Sequence, residues 1–179
     1  GTRIDTIPYC ELSFIIWERQ IIRRDFAIAD DLTNDFQIFI HHIAGAETQE
    51  DEQLTIKDIQ AFETTIGYLL HGYKNRAFCP AVILNDATND TDEPRGGTGK
   101  GIILLALAAM KHTTLIDGKN WNQENTFAFQ TITPSTQIVA FEDVKKTFEF
   151  ENFFSIITEG FKVEKKGKDA YEIKFSESP

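Results

Sequence analysis

Apolar positions recur at helical intervals in the first half of the chain and gather into short blocks in the second. Phe14, Ile15, Trp17, Ile21 and Ile22 are loosely spaced, whereas Phe36, Phe39, Ile40 and Ile43 follow the i, i+3, i+4, i+7 rule of one buried helix face. Residues 11–43 therefore read as helical, with Thr33 or Asp35 capping near the start of the second run. Gly45 to Thr48 breaks the run and residues 47–53 read as polar loop. Thr55 followed by Asp58 marks another helix start, a weaker form of the capping box. Ile59, Phe62, Ile66, Leu69 and Leu70 then make one stripe that Gly72 ends. Each stripe by itself specifies core packing and nothing more.

The texture changes at Pro80. Ala81 to Leu84 is a short apolar run of the buried-strand type, expected to neighbour the similar run Ile138–Phe141 in one sheet. Residues 85–94 are rich in Asn, Asp and Thr and read as a loop. Ile102 to Met110 is apolar all round, and its Leu, Ala and Met content predicts a buried helix. Thr113–Asp117 and Gln137–Asp143 are further strand candidates, and Phe150–Thr158 is a helix candidate stopped by Gly160. Phe161–Glu164 and Ala170–Phe175 alternate with period two around Gly167, which predicts a β-hairpin. The pattern divides the chain into a helical lead-in, residues 1–79, and an α/β part, residues 80–179, with the hairpin at 161–175.

Between the loop and the apolar helix lies Pro94-Arg95-Gly96-Gly97-Thr98-Gly99-Lys100-Gly101. It approximates the phosphate loop G-x-x-x-x-G-K-[ST], with Pro94 in place of the first glycine and Gly101 in place of the final hydroxyl residue. Glycines allow backbone N–H groups to converge on phosphate oxygens, and a following helix adds donors and a favourable dipole. Arg95, Gly96, Gly97, Thr98, Gly99, Lys100 and Gly101 are accordingly the candidate ATP-binding residues, with Lys100 as the cation. The plainer alternative is a glycine-rich turn before a helix. The hydroxyl missing at 101 ordinarily touches Mg²⁺, so water or a neighbouring acid would have to replace it.

Glu142 and Asp143 end an apolar strand candidate, where ligands bind in mostly parallel sheets. An ATPase needs one acid there to hold Mg²⁺ and one to orient or deprotonate water, so both are candidate catalytic and metal-side residues. Lys162, Lys165, Lys166 and Lys168 crowd the hairpin, with Lys145 and Lys146 upstream. Beside an ATP site such a tip points to the phosphates of single-stranded DNA; on its own it is an ordinary solvated hairpin.

Composition adjusts this picture only a little. The net charge of −10 argues against a nucleic-acid binder that uses its whole surface, but not against one basic element on an acidic body. Cys10 and Cys79 are too far apart for a staple or metal pattern and read as reduced thiols of a cytoplasmic protein. The neighbours His41 and His42 would point to different faces of a helix, which disfavours a shared metal. No stretch approaches a membrane span, and the start Gly1-Thr2-Arg3 lacks a secretory signal.

Several runs together resemble the ATPase region of superfamily 3 helicases of the phage and plasmid primase–helicase class, including those of Bacteroides-type mobile elements. They are Gly96–Gly101, Ile116–Asn120, Phe127–Gln130, Phe141–Lys146, Ile157–Gly160 and Val163–Lys166, with Ile66–His71 and Ile83–Asp86 upstream. The resemblance implies a P-loop NTPase fold of the AAA+-like, superfamily 3 type with an N-terminal helical, collar-like subdomain. It implies that Gly96–Lys100 is the Walker A loop, that Glu142 and Asp143 are the Walker B pair, and that residues 161–175 carry a DNA-contacting pore hairpin. It also implies ATP and Mg²⁺ as cofactors, and hexameric self-assembly around single-stranded DNA without a membrane. Two departures stand out. Gly101 lacks the hydroxyl, and the chain stops before the sensor and arginine-finger segments, which makes it read as a truncated fragment. The alternative is a nucleotide-binding regulatory or scaffold module that does not hydrolyse ATP; a small-molecule kinase fits the hairpin less well.

Overall fold

The computed structural model describes residues 7–13, 15, 16, 18–25, 34–45, 52–86, 97–122 and 124–179. Four α-helices and four strands lie among them: α1 Asp35–Ile43, α2 Glu52–Leu70, α3 Lys100–Met110, β1 Thr113–Asp117, β2 Ile138–Glu142, α4 Phe154–Glu159, β3 Gly160–Val163 and β4 Tyr171–Lys174. β1 and β2 form a parallel pair and β3 and β4 an antiparallel one.

The helices follow the apolar stripes where a partner exists to bury them. Ile40, Ile103, Leu107 and Ile138 form one buried cluster, with Phe36, Phe39, Phe62, Ile66 and Leu84 packed against it, so α1, α2, α3 and β2 share a core. Asn34 starts α1 by accepting the Gln37 N–H at its Oδ1, 2.9 Å away. The cap is thus Asn34 and not Asp35, which lies inside the helix; Thr33 is outside the described residues. Thr55 lies within α2, not at its start.

Among the described residues of 11–43, the expected helix is present only as α1. Tyr9–Glu11 and Glu18–Gln20 are single 3₁₀ turns, and Ile15 and Ile21 are exposed. Without a face to bury, a weakly periodic stretch has no tertiary support for a helix. Phe14 and Trp17 are outside the described residues. The expected pairing of Val82–Leu84 with Ile138–Phe141 is also corrected, because residues 80–86 form no strand and the described partner of β2 is β1. The Tyr68 hydroxyl donates to the Pro80 carbonyl at 2.9 Å, and Leu84 joins the helical cluster while Ile83 stays exposed. An apolar run specifies burial, but not a ladder partner.

The parallel pair fixes the geometry of the candidate site. Its register runs from Thr113 opposite Ile138 to Asp117 opposite Glu142. Only Lys111 and His112 separate α3 from β1. By strand alternation Ile138, Ala140 and Glu142 share one face and Val139 and Phe141 the other. Ile138 belongs to the helical cluster. Val139 packs on the second core, Ile132, Val163 and Ile173, which joins the hairpin to β2.

Gly118 closes the turn after β1. Its N–H donates to the Glu142 carbonyl at 2.7 Å, and a Cβ there would lie 2.6 Å from Val144 Cγ1 and 2.7 Å from the Glu142 carbonyl oxygen. Gly118→Ala must push the ends of the two strands apart. A loss of about 1–3 kcal/mol is expected, read as a lower urea midpoint at unchanged m value.

Candidate functional site

Lys100 opens α3 and Gly99 caps it in the left-handed region at φ 89°. Gly97 has the same φ. An L side chain rarely adopts that conformation, so the alternation of glycines is what lets Gly97-Thr98-Gly99 enter the helix this way. Gly99 also has no room for a Cβ, which would sit 2.7 Å from Phe39 Cζ, so the loop rests directly on α1. The Gly99 carbonyl accepts from Ile102 and Ile103 at 3.0 and 3.3 Å. Among the described residues no carbonyl accepts from the Gly101 N–H, which leaves a backbone donor at the helix start. Gly101 is exposed and a Cβ there would meet nothing within 4 Å, so a hydroxyl residue is not excluded by packing. Pro94, Arg95 and Gly96 are outside the described residues.

Lys100 Nζ donates to Thr98 Oγ1 at 2.8 Å and forms an ion pair with Asp86. Lys100 and then Thr98, by hydrogen bonding, hold the Asp86 carboxyl below the usual carboxylate range, against a smaller opposing effect of desolvation. Among the described residues neither Glu142 nor Asp143 is an ion-pair partner of Lys100.

The two acids after β2 have separate surroundings. Glu142 is the last strand residue and stands opposite Asp117. Asp143 leaves the strand at φ 50°, and its Oδ2 lies 3.5 Å from Lys119 Nζ, both side chains being exposed. Asp117 Oδ1 accepts from the Lys119 and Asn120 amides at 2.9 and 3.4 Å, and its Oδ2 accepts from Asn120 Nδ2 at 2.6 Å. The Asn120 side chain foremost, with the backbone amides adding to it against desolvation, holds the Asp117 carboxyl below the usual carboxylate range. On the other face of β2, Trp121 packs within 5.0–5.8 Å of Phe129, Phe141, Phe148 and Phe153. An open cleft of about 590 Å³ adjoins this aromatic group, lined by Gly118, Trp121, Asn122, Lys145, Thr147 and Asn152 among others.

At the hairpin, Lys162 pairs with Glu164 at 2.7 Å, and hydrogen bonding to Glu164 raises its pKa. Lys165 Nζ lies 5.6 Å from the centre of the Tyr171 ring. Lys166 and Lys168 are exposed on either side of Gly167, itself at φ 72°. The four lysines therefore divide into two engaged within the hairpin and two presented at its tip.

The donor set has a definite bearing on Mg²⁺. Asp86, Thr98, Asp117 and Glu142 offer hard oxygen donors, yet no group of three or more His, Cys, Asp or Glu side chains among the described residues is arranged to hold a metal. Asp86 and Thr98 share Lys100, and Asp117 and Glu142 stand opposite each other; one or two carboxylates of this kind are what Mg²⁺ takes when it arrives on phosphates. Sequence reasoning passed over Asp86 and Asp117 as site residues. Asp117 ends a short strand as Glu142 does, and Asp86 follows the apolar run Ala81–Leu84 with Asn85 between them.

Residues 94–176, from the glycine loop through the hairpin, match DUF5906, a family of unknown function. Neither a curated protein nor a solved structure matches the chain. Among the described residues no helix is long and apolar enough to cross a membrane.

Proposed function

We propose that this chain is the nucleotide-binding part of a P-loop ATPase with an AAA+-like core, of the superfamily 3 helicase type. It would bind ATP with Mg²⁺ and act on single-stranded DNA in phage or mobile-element replication. The observation that carries this reading is the entry of Gly97-Thr98-Gly99 into α3, with both glycines left-handed and Lys100 as the first helical residue. In this reading the backbone of residues 97–101 cradles the phosphates and Lys100 neutralises them. Glu142 orients or deprotonates the attacking water, and Asp143 lies on the metal side. Mg²⁺, when bound, offsets charge on the transferring phosphoryl group. The protein would assemble as a ring that places several hairpins around one strand.

A second reading, a nucleotide-binding module without hydrolysis, is favoured by Gly101. Since a side chain at 101 meets no steric obstacle, Gly101→Thr separates the two. ATP binding with turnover in the wild type supports the ATPase. Binding without turnover, with turnover gained only in Gly101→Thr, supports the module. Absence of ATP binding in calorimetry would defeat both.

The DNA-binding part is tested at the hairpin. The triple alanine variant of Lys165, Lys166 and Lys168 is expected to lose affinity for single-stranded DNA, with Lys166 and Lys168 accounting for most of it. Phosphate contacts release counterions, so wild-type and variant curves should separate at low salt and converge at high salt, without base preference. Superimposed curves would make the hairpin a solvated turn.

A further inference from the structure

The cation of the phosphate loop is not simply waiting at the helix start. Lys100 is held between the Asp86 carboxylate and the Thr98 hydroxyl. Asp86 lies 14 positions upstream of Lys100, at the end of the extended stretch 80–86 whose Leu84 is anchored in the helical core. Its side chain is about one-quarter exposed, at 23%, so the pair is reachable from solvent yet partly shielded from it. A polyphosphate that reaches Lys100 therefore meets a negative charge at the same point. It must either displace the carboxylate or lie beside it.

Both routes penalise a bare polyphosphate. Displacement gives up a charge-assisted hydrogen bond, and coexistence sets like charges a few ångströms apart. A divalent cation reverses the sign, because a carboxylate next to a magnesium–phosphate complex becomes a ligand or a counter-charge. Asp86 is moreover placed beside the helix start, where Gly101 supplies no hydroxyl. We infer that Asp86 is a specificity-determining residue that makes the loop select the magnesium complex of a nucleoside polyphosphate over the bare polyanion. This rests on the reading of residues 97–101 as a phosphate loop.

The experiment is calorimetric titration of ATP into the wild-type chain and into Asp86→Asn, once with excess Mg²⁺ and once with EDTA. The wild type is expected to prefer the magnesium complex by about tenfold or more, the scale of one close unit charge in a partly shielded site. Asp86→Asn should bind ATP in EDTA about tenfold more tightly than the wild type and lose most of the magnesium preference. Asp86→Ser, which removes the charge and the amide alike, should behave in the same way, and Asp86→Glu should keep the preference. Coincident melting curves establish that each variant is folded. Should the wild type bind magnesium–ATP while the neutral variants show the same affinity in EDTA as the wild type, Asp86 has no such role, although the phosphate-loop reading survives. If no protein binds ATP under either condition, the phosphate-loop reading fails and takes this inference with it. Binding by the neutral variants alone would mean that Asp86 blocks Lys100 with and without magnesium, which overturns the selection of the magnesium complex.

Discussion

Lys100→Ala is expected to lower ATP affinity by more than any other single change in the glycine loop. A hydrogen bond between charged partners contributes about 1.5–3 kcal/mol, which corresponds to roughly 10- to 150-fold in affinity. The arrangement around Lys100 adds to this. With the ammonium gone, Asp86 loses its partner and stays as an uncompensated carboxylate facing the incoming phosphates. The substitution therefore removes an attraction and exposes a repulsion. The double variant Lys100→Ala/Asp86→Asn should accordingly bind better than Lys100→Ala alone, a coupling that a double-mutant cycle measures directly. Equal calorimetric affinities for wild type and Lys100→Ala would remove Lys100 from the site. Equal affinities for the single and double variants would show that Asp86 does not act through it.

β1 over Thr113–Asp117 and the hairpin strands follow their patterns closely. α3 has the expected place, but it is buried on one face only, through Ile103 and Leu107, while Ile102 and Leu105 are exposed, because only one side of it meets the helical core. Gly160 was legible as a helix stop. It sits at φ 116°, and a Cβ there would lie 2.4 Å from the Ile173 carbonyl oxygen, so it ends α4 and admits β4 at once. What failed depended on distant pairing. Ala81–Leu84 has a strand's composition, but Leu84 packs into the helical cluster and the run joins no ladder. Residues 11–25 have enough isoleucine to imply a helix, yet Ile15 and Ile21 have no core to face. Lys100, Glu142 and Asp143 are legible as candidates from the glycine loop and from the end of an apolar strand. The Asp86–Lys100 pair is not, because 13 intervening residues separate its members and spacing gives no cue that they meet.

The acids that end β2 give the sharpest test of turnover, and the structure separates them. Glu142 is still in the strand and shares the face of Ile138, which packs into the helical cluster, but Glu142 itself is exposed. Asp143 has turned away at φ 50° toward Lys119. Glu142→Gln keeps size and strand geometry and removes only the charge. It is expected to spare ATP binding and to lower steady-state phosphate release by about 10²–10⁴-fold, the usual contribution of a positioned general base. Asp143→Asn is a clean companion. Asn tolerates positive φ about as well as Asp, so the turn survives, and the exposed ion pair it gives up with Lys119 contributes little to stability. Asp143→Ala would confound lost charge with backbone strain. Loss of turnover in both Glu142→Gln and Asp143→Asn, with ATP affinity retained, would assign the pair to hydrolysis. Loss in Glu142→Gln alone would leave Asp143 as a turn residue that happens to follow the catalytic strand. Wild-type turnover in both variants would place the chemistry elsewhere, whatever the glycine loop binds.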